Sequence, residues 1–85
     1  MNPDNREMRS SIMHAFADAD INAAMEDTEE DAYRMYRRTL DLHFEAYLDR
    51  FCSNESDEDL FWSIVDSVAE SIGHTEIYRK AMEVA

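Results

Sequence analysis

Glycine and proline are nearly missing from this chain, with one of each in 85 residues. A turn-rich β fold needs them between its strands, and a phosphate-cradling loop needs several glycines, so neither is expected. Cysteine also occurs once, as Cys52, which leaves no internal disulfide and suits a reducing compartment. No apolar run approaches the roughly 18 residues that cross a bilayer. Met1-Asn2-Pro3-Asp4 does not begin a signal peptide. A soluble, cytoplasmic protein is expected. Basic residues are few: eight Lys and Arg stand against twenty Asp and Glu, a net charge of −12. That balance repels phosphates and anionic lipid, which argues against direct binding of nucleic acid or membrane. It favours a basic protein partner through steering and complementary potential. Acidic surfaces also keep small proteins soluble, and they suit high-salt conditions.

What the chain does have is a 45% hydrophobic fraction made of large residues, including four Phe, four Tyr and six Met. That is enough for one small core, and Ala, Glu, Met, Leu and Arg favour helix. The expected fold is all-α: one acidic domain over residues 1–85, a small bundle of three long helices plus a short C-terminal helix. Its organising stretch is Thr28 to Phe51. A capping signal, Thr28-Glu29-Glu30-Asp31, opens it, and Tyr33, Tyr36, Leu40, Phe44, Tyr47 and Phe51 follow at steps of three and four. This long aromatic helix is read as the central one against which the others pack.

The remaining elements follow from the same periodicity. Asp4 or Asn5 can cap a first helix over about residues 5–25, with Met8, Ile12, Ala15, Phe16, Ala19 and Ala23 as its apolar stripe. Ile21 and Met25 lie off that stripe, which points to a bend or break near Asp18-Ala19-Asp20. A third helix is expected over about residues 57–72, opened by a capping box at Ser56-Asp57-Glu58-Asp59. Leu60, Phe61, Ile64, Val65, Val68 and Ile72 form its apolar face, and Trp62 and Ala69 stand at the boundary. Gly73 sits where a helix end needs a left-handed residue. Thr75 can cap the short last helix, whose face is Ile77, Tyr78, Ala81 and Met82.

Several groups could carry chemistry. Asp18, Asp20, Asn22, Glu26 and Glu29 stand at the first, third, fifth, ninth and twelfth places of a segment that resembles an EF-hand calcium loop. The resemblance implies a calcium-binding loop between the first two helices, with Ala23 in place of the glycine that makes its turn. His14, His43 and His74 lie in three segments, and no pair has the helical spacing of a metal signature. His43 borders the aromatic face as a partly buried ring. No base is encoded beside Cys52, so no nucleophile is expected. The reading is non-enzymatic, with no cofactor and no catalytic residue.

Charge is distributed unevenly. Glu26 to Asp31 has five acids in six residues, partly explained by helix capping. Arg34, Arg37, Arg38 and Arg50 outnumber Asp41, Glu45 and Asp49 within residues 32–52 of the second helix, and they can pair with acids of the first and third. Between Arg50 and Arg79 there are seven acids and no Lys or Arg. The expected partner-binding residues are therefore Glu55, Asp57, Glu58, Asp59, Asp66 and Glu70. Asp41, Glu45, Asp49, Glu26, Asp27, Glu29 and Glu30 join them. Such a face could occupy a basic site on a nuclease or CRISPR effector and imitate nucleic-acid phosphates. Phage anti-CRISPR and anti-restriction proteins, and immunity proteins that block toxic nucleases, are similar in size and charge. The alternative is a structural or regulatory helical subunit, a homodimer through Met35, Leu42 and Ala46 or through the short last helix.

Overall fold

The computed structural model describes residues 5–84, so Asp4, one of the two expected first caps, lies outside the described residues. Four helices account for most of the chain: α1 (Asn5–Ala24), α2 (Glu29–Phe51), α3 (Glu55–Ser71) and α4 (Thr75–Glu83). Among the described residues there is no strand. Thr28 caps α2 as expected, its Oγ1 accepting from the Asp31 backbone N–H at 3.2 Å.

Two caps differ from expectation. Helix α3 begins two residues early because Asn54, not Ser56, is its N-cap: Asn54 Oδ1 accepts from the Asp57 N–H at 2.9 Å. Asp57 reaches back in turn and accepts from both the backbone N–H and the hydroxyl of Ser53 at 3.0 Å. Thr75 is the first residue of α4, not its cap. The chain reverses so tightly after α3 that His74 takes the cap position, without a capping bond from its side chain. In that reversal Gly73 adopts φ +76°, its N–H bonds the Glu70 carbonyl, and the His74 N–H bonds the Ala69 carbonyl at 2.8 Å. Those two bonds satisfy carbonyls that the helix end leaves orphaned.

The expected break in α1 does not occur; the helix runs through Asp18-Ala19-Asp20 to Ala24. Ile21 and Met25 face solvent, 61% and 72% exposed, so being off the stripe requires no bend. Partners from α2 hold this last part in place. Asp18 meets His43 Nε2 at 3.0 Å, and Asn22 Nδ2 donates to the buried Thr39 hydroxyl at 3.1 Å.

Helices α1 and α2 form the centre together. Helix α1 packs against α2 and α3, and α2 packs against α1 and α4 and meets α3 through Phe44, 5.5 Å from Phe61 and 5.7 Å from Trp62. All six stripe residues of α1 are buried. On α2 only Tyr36, Leu40 and Phe44 of the aromatic line are buried, and Tyr33, Tyr47 and Phe51 are half-exposed. The reason is side-chain size. Ala15, Ala19 and Ala23 let neighbouring backbones close on α1, and the one large ring among them, Phe16, fills the space between. That ring meets Tyr36 at 6.4 Å, Phe44 at 6.0 Å, His74 at 6.0 Å and Tyr78 at 5.5 Å. Arg37 secures α4 to α2 by donating to the Met82 carbonyl at 3.1 Å and to the Val84 carbonyl.

Replacing Phe16 with Ala should lower the unfolding free energy in urea by about 3–5 kcal/mol. The whole domain has roughly 4–13 kcal/mol at this size. Gly73→Ala should cost about 1–2 kcal/mol through backbone strain alone, because nothing lies within 4 Å of the added Cβ. A Gly73→Ala protein as stable as the wild type would contradict the left-handed assignment.

Candidate partner-binding surface

Helix α3 carries the acids with the fewest internal partners. Glu55, Glu58, Asp59, Asp66 and Glu70 are all exposed. Among the described residues, no Lys, Arg or His nitrogen lies within 4.0 Å of any α3 carboxylate. Asp59, Asp66 and Glu70 recur at steps of seven and four, so they line one side of the helix. Asp57 differs from the others. Its carboxylate is held by the Ser53 backbone N–H and hydroxyl, which together lower its pKa below the ordinary value. It serves the start of α3 rather than the open face.

The acids on α2 and in the first connection are more fully engaged. Arg34 lies 2.8 Å from Glu30 and 3.7 Å from Asp31, and Glu29 accepts from the Tyr33 hydroxyl at 3.0 Å. Asp41 is 3.6 Å from Arg37 Nε. Asp27, Glu45 and Asp49 are exposed with no ion pair among the described residues, and Glu26 is half-buried. The α2 arginines were expected to pair with acids of the first and third helices. Among the described residues only Arg50 pairs with an acid of α1, Glu7, and none pairs with an acid of α3. Burial is the larger cause of the raised pKa of the Tyr78 phenol, and the charges of Asp66 and Asp41 push it the same way.

The loop that an EF-hand implies is not formed. Asp18, Asp20 and Asn22 stand on continuous helix, and the oxygens of Asp18 and the amide of Asn22 are turned to α2 partners. Ala23, a good helix former where the loop needs glycine, keeps the segment helical. Among the described residues no group of three or more His, Cys, Asp or Glu is placed to hold a metal ion. His43 is partly buried as expected, and its ring stacks on Tyr47 at 5.7 Å. His14 joins it from α1, with ring centroids 6.1 Å apart and Asp18 3.6 Å from His14 Nε2. Spacing gave no sign of this meeting, because the two rings are far apart in sequence. Burial raises the Cys52 thiol, and Asp57 and Glu58 push it the same way, the opposite of an activated nucleophile.

A shallow groove of about 310 Å³ runs along α2, lined by Arg34, Arg37, Arg38, Asp41, Leu42, Glu45 and Val84. Leu42 is 64% exposed there, and the strip continues to exposed Ala46. Sequence reasoning missed two placements. Arg37 as the tie to α4 has no local signature, because its partners are 45 and 47 residues away. Trp62, 42% exposed in the middle of the α3 acids, could have been read from its helical spacing to Glu58, Asp59 and Asp66.

No family model, curated protein or solved structure matches the chain. Among the described residues no helix is long and apolar enough to cross a membrane.

Asp57→Asn should lower the urea midpoint at pH 7. Because the folded pKa of Asp57 is lowered, its contribution is present above the ordinary carboxylate value of 3.8 and is lost as pH falls through the folded value. The gap between wild type and Asp57→Asn should therefore close in urea melts below that pH. A gap of constant size from pH 7 to pH 2 would mean that the carboxylate charge is not the cause.

Proposed function

We propose that this chain is a non-enzymatic binding protein whose acidic α3 face occupies the nucleic-acid-contacting surface of a basic protein and thereby inhibits it. The observation that supports this most is that, among the described residues, no α3 carboxylate has an ion pair: Arg9, which reaches α3, bonds the Ser67 hydroxyl, and four other cations engage other groups. Arg34 and Lys80 pair within their own helices, Arg50 ties α2 to α1, and Arg37 holds α4. Unneutralised like charges on one helix repel each other by a few tenths of a kcal/mol per pair, and an opposite surface on a partner relieves that repulsion. A small single-domain bundle of three long helices and one short one presents such a face rigidly. Nucleases and CRISPR effectors, which hold phosphates in basic channels, are the partner class that fits, as with the phage inhibitors of similar size and charge. The protein would then act in the cytoplasm of the cell that contains the target.

A second reading rests on the exposed Leu42 and Ala46 strip of α2, which a second copy could cover to make a homodimer. Light scattering separates the two: a dimer that Leu42→Glu converts to monomer supports the second.

For the first reading, the partner is recovered from the source cell and its affinity measured by calorimetry. The double variant Asp66→Lys/Glu70→Lys should bind about 100-fold more weakly, equivalent to roughly 2.7 kcal/mol. Raising salt from about 0.05 to 0.5 M should weaken the wild-type complex steeply. A complex indifferent to both changes overturns the acidic-face reading.

A further inference from the structure

We infer that the α3 face is specifically an arginine-docking surface, with Trp62 as the platform on which a partner's guanidinium stacks. This rests on the acidic-face reading above and adds the anchor and the preferred cation.

Trp62 is the only tryptophan, and it is 42% exposed. Its ring is not loose. Phe61 meets it edge-on at 5.1 Å and Phe44 at 5.7 Å, with interplanar angles of 82° and 84°. These contacts fix the indole from the core side and leave the remainder to solvent. Glu58 stands four residues before it, Asp59 three before and Asp66 four after, all exposed. Residues at those spacings are neighbours on a helix surface, with Cβ atoms about 5–6 Å apart. The indole is thus flanked by three carboxylates that have no cation within 4.0 Å among the described residues. Elsewhere the molecule does place a guanidinium over a ring: Arg50 sits 5.0 Å from the centroid of Phe51 and pairs with Glu7 at the same time. Trp62, a better cation–π acceptor than phenylalanine, has the acids but not the cation.

Charge complementarity selects the occupant. A flat guanidinium stacks on an aromatic face while its N–H edge donates to carboxylates, and an ammonium cannot do both in that way. A rigid, partly exposed Trp bordered by charges is also the kind of residue that dominates binding energy at an interface.

Because Trp62 is the sole tryptophan, its fluorescence reports on this face alone. The intact protein at low salt is titrated with a hexa-arginine peptide and, separately, a hexa-lysine peptide, with calorimetry in parallel. The arginine peptide should bind about tenfold more tightly and change the Trp62 emission. Trp62→Leu, followed by calorimetry, should remove that preference while leaving lysine-peptide affinity in place. Trp62→Phe keeps a ring against Phe44 and Phe61 and should retain part of the preference, which guards against loss of fold in the Leu variant. Equal affinity for both peptides with unchanged emission overturns the arginine anchor but leaves the acidic face standing. If neither peptide binds, the acidic-face reading falls and the anchor falls with it. Concentration-dependent quenching that Arg38→Ala removes would assign the face to a second copy of this chain and overturn the inference.

Discussion

The packing of Phe16 is the contact on which the rest of the molecule depends. It is a single large side chain on a helix whose other central positions are mainly alanine, and it is fully buried. Rings from α2, from the turn after α3 and from α4 close around it. Phe44 then carries the ring packing on to Phe61 and Trp62 of α3. One continuous set of aromatic contacts therefore runs from the core to the most exposed aromatic on the acidic face. The orientation of that face is set by the core and not by the surface itself.

Electrostatics divides the molecule in a complementary way. The cations are structural. Arg50 holds the start of α1, Arg9 donates to Ser67 at 3.2 Å across to α3, and Arg37 donates to the last carbonyls around α4. Helix α4 has nine residues and only Ala81 buried, so it would not persist by itself, and ties of this kind are what fix it. Tyr36 adds another at its first turn, with its hydroxyl 3.0 Å from His74 Nδ1; burial drives that phenol's pKa well above its ordinary value. Once these ties are made, few cations remain for the twenty acids. The charge that stays uncompensated collects where no base is encoded, on α3.

The helices were legible because helix formation is largely local. Met8 to Ala23 and Phe61 to Val68 show their buried faces as steps of three and four, and Thr28 and Gly73 announce their termini by chemistry that acts within one turn. The misjudged caps have a similar local logic: Asn54 to Asp57 has the same donor and acceptor spacing as Ser56 to Asp59, and only the reciprocal bond to Ser53 decides between them. Helix α1 shares the centre with α2, which aromatic content does not announce: its three alanines admit neighbours that large rings hold off.

The sequence by itself determined the helical class, the faces that go inward and the charge imbalance, because each is a property of composition and short-range spacing. Tertiary structure alone decided that α1 shares the centre with α2, that Arg37 ties α4 and that Arg50 ties α1. It also decided that Asp18 turns to His43 and that Trp62 is held between two phenylalanines and solvent. Except for the contact with its neighbour Phe61, those outcomes depend on pairs far apart along the chain, and no local pattern encodes which distant side chain will arrive. The α3 acids were picked out from the lack of nearby bases in the sequence. Among the described residues the fold left them without an ion pair: Arg34 pairs within α2, Arg37 ties α4, Arg50 ties α1, and Arg9, which does reach α3, bonds the Ser67 hydroxyl.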